Sequence, residues 1–179
     1  MKSLGIDPSI KSTGLVLLKC FDKRVELLSA KTVKLPALQG REKLLCVVER
    51  IMQTVNFTQP DVICVEGYGL HFGHKSSVVP LVELGGILRY RLNLSGYGYL
   101  EPRPNQLKMA AGNGHAKKPE IKKLVYEKWG FDTDDDNLSD AYVCAIIGLA
   151  YRGKIHHDNS VHHVSGMLSE SNFIKKTCN

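Results

Sequence analysis

The feature that most constrains this chain is a short apolar run near its N-terminus that ends on an acidic residue, Asp7. The run covers residues 2–6, too few for a helix, and Pro8 disfavours the α conformation at the residue before it. We therefore expect a buried strand ending at Asp7, a turn at residues 12–14 and a second strand at residues 15–18. A carboxylate at the end of a buried strand must be protonated, paired or bound to a metal. Capping of the turn is the alternative role for Asp7.

Composition indicates one globular domain that works inside the cell. Of the 179 residues, 43% are apolar and 23% charged, which is enough for a sizeable core. The apolar runs are short, the N-terminus lacks a signal-peptide profile and the five cysteines show no CxxC spacing. We therefore expect a cytoplasmic protein with reduced thiols. The formal charge of +6 favours a polyanionic partner.

A later strand is also expected to end on a carboxylate. The periodicity predicts a third, antiparallel strand at residues 24–35 and an amphipathic helix at residues 40–55. The next apolar run, residues 61–65, is continuous, as in strands that are buried on both faces. This run ends on Glu66, so two predicted strands each finish with an acidic side chain.

A loop, a helix and a fifth strand are predicted after Glu66. The loop at residues 67–76 contains a cation, Lys75, that suits a polyanion. A helix is expected at residues 77–94 and a strand at residues 97–100. Two adjacent glycines at 85–86 would allow this helix to pack closely on another helix, including one from a second copy of the chain.

Most of the net positive charge is local. Between residues 101 and 128, seven basic residues stand against three acidic ones, a net +4 of the total +6. A glycine-rich turn separates a short helix at residues 106–111 from one that starts at Pro119. Backbone amides at that helix start suit a phosphate group, and a solvated lysine face is the alternative. The basic residues are Arg103, Lys108, Lys117, Lys118, Lys122, Lys123 and Lys128.

The last long helix is predicted to begin in an acidic stretch. Residues 132–140 hold five Asp in nine positions of a basic protein. Asn137 is a candidate cap for a helix whose apolar face continues to residue 150, which places Asp140 in the first turn. Favourable interaction with the helix dipole accounts for Asp134 and Asp135 without any further role.

Residues 153–179 are expected to form a flexible tail outside a domain of residues 1–152. Apolar periodicity is lost after residue 153 and polar residues dominate. Two histidine pairs, at 156–157 and 162–163, could hold zinc, but no pattern of Cys or acidic residues completes such a site.

Asp7, Glu66 and Asp140 can converge above one sheet in the expected arrangement. Carboxylates together with substrate phosphate oxygens are the ligands that Mg²⁺ prefers. Two such ions can activate a water and stabilise the leaving oxygen in phosphodiester hydrolysis. The sequence therefore favours a metal-dependent nuclease whose basic segment binds nucleic acid.

The chain resembles the RuvC family of Holliday junction resolvases, especially its phage members, within the RNase H-like superfamily. The resemblance implies an α/β fold with a five-stranded mixed sheet, an antiparallel meander plus parallel strands, flanked by helices. It also implies a homodimer that binds four-way DNA junctions and nicks two strands symmetrically with Mg²⁺ or Mn²⁺. The resemblance rests on residues 5–9 with 13–14, 65–68, 104–118 and 140–142, in that order.

The resemblance also assigns roles by position. Asp7, Glu66 and Asp140 are similar to three metal-binding acidic residues of the family. Lys108 and Lys118 are similar to its basic residues near the scissile phosphates.

Two further positions follow from the resemblance. Tyr68 or Phe72 stands where a loop aromatic stacks on junction bases. The family usually places its fourth ligand three residues before the final Asp, where this chain has Asn137. We expect Asp136 to replace it, since a spacing of four shares a helix face with Asp140. Asn137 could instead bind a metal through its amide oxygen.

Two other functions are compatible with parts of the sequence. A module that binds branched DNA without cutting it is one, because Asn137 departs from the family pattern. An actin-like sugar or acetate kinase is the other, given the Gly-Ile-Asp start and residues 13–14. Such kinases close a nucleotide between two duplicated halves, and 179 residues hold only one half without a second glycine-rich phosphate turn.

Overall fold

The computed structural model describes residues 1–35, 37–68, 75–155 and 158–169, without the side chains of residues 75–77 and 118. Among the helices in these ranges, none combines the length and apolarity that crossing a membrane requires. In chain order, the elements are β1 (Lys2–Asp7), β2 (Thr13–Phe21), β3 (Arg24–Val33), α1 (Gly40–Thr58), β4 (Val62–Val65), α2 (Lys75–Leu94), α3 (Pro104–Ala111), α4 (Lys118–Trp129), α5 (Asp136–Tyr151) and α6 (Asn159–Gly166).

The sheet is mixed, as predicted, with the strand order β3-β2-β1-β4. The β1–β2 and β2–β3 pairs are antiparallel, whereas β4 runs parallel to β1. The fifth predicted strand is reduced to a bridge between Leu100 and Cys64 at the β4 edge. Proline explains its shortness, since Pro102 and Pro104 have no N–H with which to extend the pairing.

Two hydrophobic cores lie on opposite faces of the sheet. Leu4 and Ile6 of β1 pack with α1 and α2 on one face. Val16 and Leu18 of β2 pack with α3, α4, α5 and α6 on the other. The helix α5 is central to this second core, because eleven of its sixteen residues are buried.

The helix α5 lies unusually close to β1 and β2. A Cβ atom on Gly5 would stand 1.9 Å from the carbonyl oxygen of Ala141, and one on Gly14 would stand 2.2 Å from that of Asn137. Contacts of this length exclude any side chain at either position. The Ser3 hydroxyl donates a buried hydrogen bond to the Ala145 carbonyl at 2.8 Å, which fixes the helix along β1.

The expectation of a flexible tail from residue 153 is wrong for residues 159–166, which form α6. Val161 and Val164 are fully buried in the core shared with α3 and α5. The Asp158 carboxylate caps the helix and lies 2.9 Å from Lys128 Nζ. Burial alone would raise the pKa of Asp158, but hydrogen bonds from Lys128 and Ser160 lower it below the ordinary value. A helix of eight residues with only two apolar core side chains shows too little apolar periodicity to be predicted from the sequence.

Candidate active site

Asp7 and Glu66 lie together because β1 and β4 are parallel neighbours. The register pairs Ile6 with Val65, so the next residue of each strand emerges at the same edge of the sheet. The Glu66 amide donates to the Ile6 carbonyl at 2.8 Å and continues this alignment. Asp7 is only 8% exposed, and Glu66 is half-buried.

Asp140 reaches the same place from α5. Gly5 and Gly14 allow the first turns of α5 to contact the ends of β1 and β2. Asp140 is the fifth residue of α5, and helical side chains lean towards the N-terminus of their helix. Its carboxylate is thereby directed to the sheet edge that carries Asp7 and Glu66.

The three carboxylates form one compact acidic group. One oxygen from each of Asp7, Glu66 and Asp140 lies within 4.8 Å of the others. No other trio of acidic, histidine or cysteine side chains converges in this way within the described ranges. Three ionised carboxylates this close repel one another, and a cation held among them would reduce that repulsion. The donor set consists of hard oxygens and fits Mg²⁺ or Mn²⁺ in chemistry and in number.

Asp136 does not join this group, contrary to our expectation. It is the first residue of α5, and its carboxylate lies 3.3 Å from Lys122 Nζ on α4. The predicted spacing assumed that Asp136 and Asp140 share a face within an established helix. The Asp136 carboxylate instead pairs with Lys122 on the neighbouring helix, which compensates its charge.

The cap of α5 is Asp135 rather than the predicted Asn137. Asp135 Oδ1 accepts from the Asn137 amide at 3.0 Å, and its other oxygen accepts from the Thr32 hydroxyl at 2.8 Å. Burial raises the pKa of Asp135, but these hydrogen bonds outweigh burial and lower it below the ordinary value. The cap therefore joins the start of α5 to β3. The Asn137 side chain also donates to Asp135, at 3.1 Å.

Tyr68 is held against α2. Its hydroxyl donates to the Val82 carbonyl at 3.0 Å, and the Arg89 guanidinium lies 4.2 Å from its ring centroid. The ring that we expected to stack on DNA bases is therefore packed against a cation in this structure. Phe72 and the side chain of Lys75 lie outside the described residues.

The predicted basic residues lie on and around α3 and α4. Arg103 and Lys117 are exposed, Lys108 is half-buried, and the side chain of Lys118 is outside the described part. The Lys117 amide, which we considered for phosphate, donates to Glu120 at 2.9 Å instead. That amide is therefore already hydrogen-bonded in this structure.

Sequence reasoning missed the pair of Arg89 and Glu101, which lies beside the end of β4. Arg89 Nε donates to Glu101 Oε2 at 3.0 Å, and Nη2 donates to Oε1, so the pair is bidentate. Burial alone would lower the pKa of Arg89, but the contacts with Glu101 and Tyr68 raise it above the ordinary value. Two opposite charges in different elements leave no periodic signal in a single sequence.

Known proteins match this chain across the same region. The family described as crossover junction endodeoxyribonuclease RuvC matches residues 3–147. A protein of that name from Bordetella parapertussis is 28% identical over 159 residues, covering 87% of this chain and 86% of the relative.

Solved structures agree on the fold. Thermus thermophilus RuvC has a TM-score of 0.70 at 24% identity, covering 86% of this chain and 98% of that chain. T. thermophilus RuvC in complex with a Holliday junction substrate has the same TM-score at 21% identity and covers 86% of this chain and 98% of that one. Since the family match spans most of the described sheet and helices, this chain belongs to the crossover junction endodeoxyribonuclease RuvC family.

Proposed function

We propose that this protein is a metal-dependent endonuclease that resolves four-way DNA junctions by symmetric hydrolysis of two phosphodiester bonds. The observation that carries the proposal is the convergence of Asp7, Glu66 and Asp140 within 4.8 Å. The relative solved with a Holliday junction substrate supports the choice of DNA.

The three carboxylates would hold two Mg²⁺ or Mn²⁺ ions per site. When bound, such ions supply an activated water and stabilise the leaving oxygen. Asp7 is the most enclosed of the three carboxylates and lies at the end of its strand, so it would be the principal residue that holds the ions. Glu66 and Asp140 complete the site from β4 and α5.

The remaining assignments concern DNA binding. Basic side chains around α3 and α4 neutralise phosphates, and an aromatic residue after Glu66 stacks on exposed bases. Stacking by Tyr68 requires its ring to leave Arg89. The residues that we assign to DNA are Tyr68, Phe72, Lys75, Arg103, Lys108, Lys117 and Lys118.

Mapping of cleavage on synthetic four-way junctions tests the function directly. With Mg²⁺ or Mn²⁺, we expect paired nicks at symmetric positions on two strands of like polarity, and no comparable cutting of linear duplex. Varying the core sequence and labelling each strand reports activity, symmetry and sequence preference together. Tight binding in Ca²⁺ without nicking in Mg²⁺ or Mn²⁺ would instead identify a module that only binds branched DNA.

A homodimer is the assembly that symmetric nicking requires, and α2 offers a surface for it. An apolar stripe with helical spacing runs along its outer face, and its side chains are exposed within the described part of the chain. Glycine at the centre of the stripe would permit close approach of a second helix. The stripe consists of Val79, Val82, Gly86, Tyr90 and Leu94.

Tyr90→Glu is expected to weaken the dimer. A charge in the middle of an apolar interface should raise the dissociation constant about tenfold or more, as measured by sedimentation equilibrium. Tyr126→Glu is the matched control, since Tyr126 is an exposed tyrosine on α4 and lies outside the stripe. Equal dimerisation of both variants would exclude α2 as the interface.

A further inference from the structure

Three side chains from separate segments meet beside the end of β4, next to the backbone that carries Glu66. Arg89 of α2 binds both carboxylate oxygens of Glu101, and its Nη1 donates to the Tyr68 hydroxyl. The guanidinium also covers the Tyr68 ring, 4.2 Å from its centroid. Arg89 thus contacts Tyr68, two residues after Glu66, and Glu101, beside the β4 edge.

Backbone hydrogen bonds connect Glu101 to both sides of Glu66. The Val65 amide donates to the Leu100 carbonyl at 2.9 Å, and the Gly67 amide donates to the Pro102 carbonyl at 2.8 Å. Glu101 lies between these two acceptors, just as Glu66 lies between the two donors. A shift of Glu101 would therefore move the backbone on either side of Glu66.

The packing around Arg89 leaves little room for another arrangement. A Cβ atom on Gly85 would stand 1.9 Å from the Tyr68 hydroxyl, so this glycine forms the notch that receives Tyr68. A Cβ atom on Gly67 would stand 3.2 Å from Glu101 Cγ. The Arg89 side chain is only 16% exposed, so solvent screens its ion pair much less than a surface pair.

We propose that Arg89 is a positioning residue that, through Glu101 and Tyr68, sets the Glu66 carboxylate relative to Asp7 and Asp140. The affinity of the site for divalent metal then depends on a side chain of α2 that does not touch the metal. This inference rests on the proposed metal role of the acidic group. It also connects that group to the helix whose outer face we assign to the dimer.

Arg89→Gln should weaken metal binding without weakening DNA binding. Loss of a residue that supports a ligand typically costs about 10–100-fold in metal affinity. We expect a rise of at least about tenfold in the Kd for Mn²⁺, measured by calorimetric titration of the DNA-free protein, and a parallel rise in the Mn²⁺ concentration that half-saturates cleavage. Junction affinity in the absence of divalent metal should not fall, because Arg89 is not among the residues assigned to phosphate contact and its loss would only release Tyr68 for stacking.

Arg91→Gln is the matched control. Arg91 lies two positions further along α2 and pairs with Glu49, but this pair is exposed and far less confined. We expect Arg91→Gln to bind Mn²⁺ with the affinity of the wild type. A common loss in both variants would show a general effect of charge on α2 and would overturn the assignment of Arg89.

Milder variants protect the test against misfolding. Glu101→Gln keeps the shape of the carboxylate and should raise the Kd for Mn²⁺ less than Arg89→Gln does. The exchange Arg89→Glu with Glu101→Arg rebuilds the ion pair and should restore part of the Mn²⁺ affinity that Arg89→Gln loses. Wild-type affinity for Mn²⁺ in folded Arg89→Gln and Glu101→Gln proteins would overturn the inference. A wild-type protein that binds no Mn²⁺ at all would overturn the proposed metal site, and this inference with it.

Discussion

Asp7→Asn is expected to reduce junction cleavage by about 10²–10³-fold or more while junction binding is retained. Asn has nearly the same shape as Asp, so the buried end of β1 can keep its packing. It lacks the negative charge that holds a divalent cation, and Asp7 is the most enclosed of the three carboxylates, at 8% exposure. The rate should be measured on a junction that the wild type cuts, together with binding in Ca²⁺.

Thermal unfolding separates loss of metal from loss of fold in the same variant. Without divalent metal, Asp7→Asn should still unfold cooperatively, because Asn keeps the shape of the side chain at the buried end of β1. Addition of Mg²⁺ should stabilise the wild type, by about 2.7 kcal/mol at a hundredfold excess over Kd, and should stabilise the variant far less. Asp132→Asn changes an exposed carboxylate and serves as the control. Appreciable nicking by folded Asp7→Asn protein would refute the assignment.

Gly5→Ala is expected to destabilise the protein by about 3 kcal/mol or more and to disable the site at the same time. The new methyl group would stand 1.9 Å from the Ala141 carbonyl oxygen and 2.6 Å from the Ala145 amide nitrogen. Both are backbone atoms inside a helix, so no flexible side chain can move aside. The helix α5 must therefore retreat from β1 and carry Asp140 away from Asp7.

Gly166→Ala provides the control for Gly5→Ala. It places the same methyl group in the last position of α6, where no atom lies within 4 Å. Its free energy of unfolding should change by less than about 1 kcal/mol. Chemical denaturation gives the free energies, and the stabilisation by Mg²⁺ reports on the site. Wild-type stability and Mg²⁺ response in Gly5→Ala protein would show that α5 does not lie this close to β1.

Local patterns were sufficient to predict the acidic group. The ends of β1 and β4 were predicted from apolar runs that end at Asp7 and Glu66. The helix α5 was predicted from apolar residues that recur at helical spacing after Asp140. Resemblance to the RuvC family added the order of these parts, and the family match confirms it. These elements are encoded by residues close to one another in the chain, so a single sequence reveals them.

The remaining features depend on partners that are distant in sequence. Asp135 caps α5 and also accepts a hydrogen bond from Thr32 of β3, while Asp136 pairs with Lys122 of α4 rather than joining the acidic group. The helix α6 forms against a surface that α3 and α5 build. The pair of Arg89 and Glu101 likewise exists only once α2 lies beside the sheet edge. Periodicity and capping rules carry no information about such encounters.

The contact between β1 and α5 has a consequence during protein synthesis. It joins the first strand to a helix near position 140, and contacts between segments so distant in sequence form late and slowly. A nascent chain that has emerged only a few residues beyond β4 carries Asp7 and Glu66 but lacks Asp140. The ability to cut DNA therefore appears only after most of the polypeptide has left the ribosome.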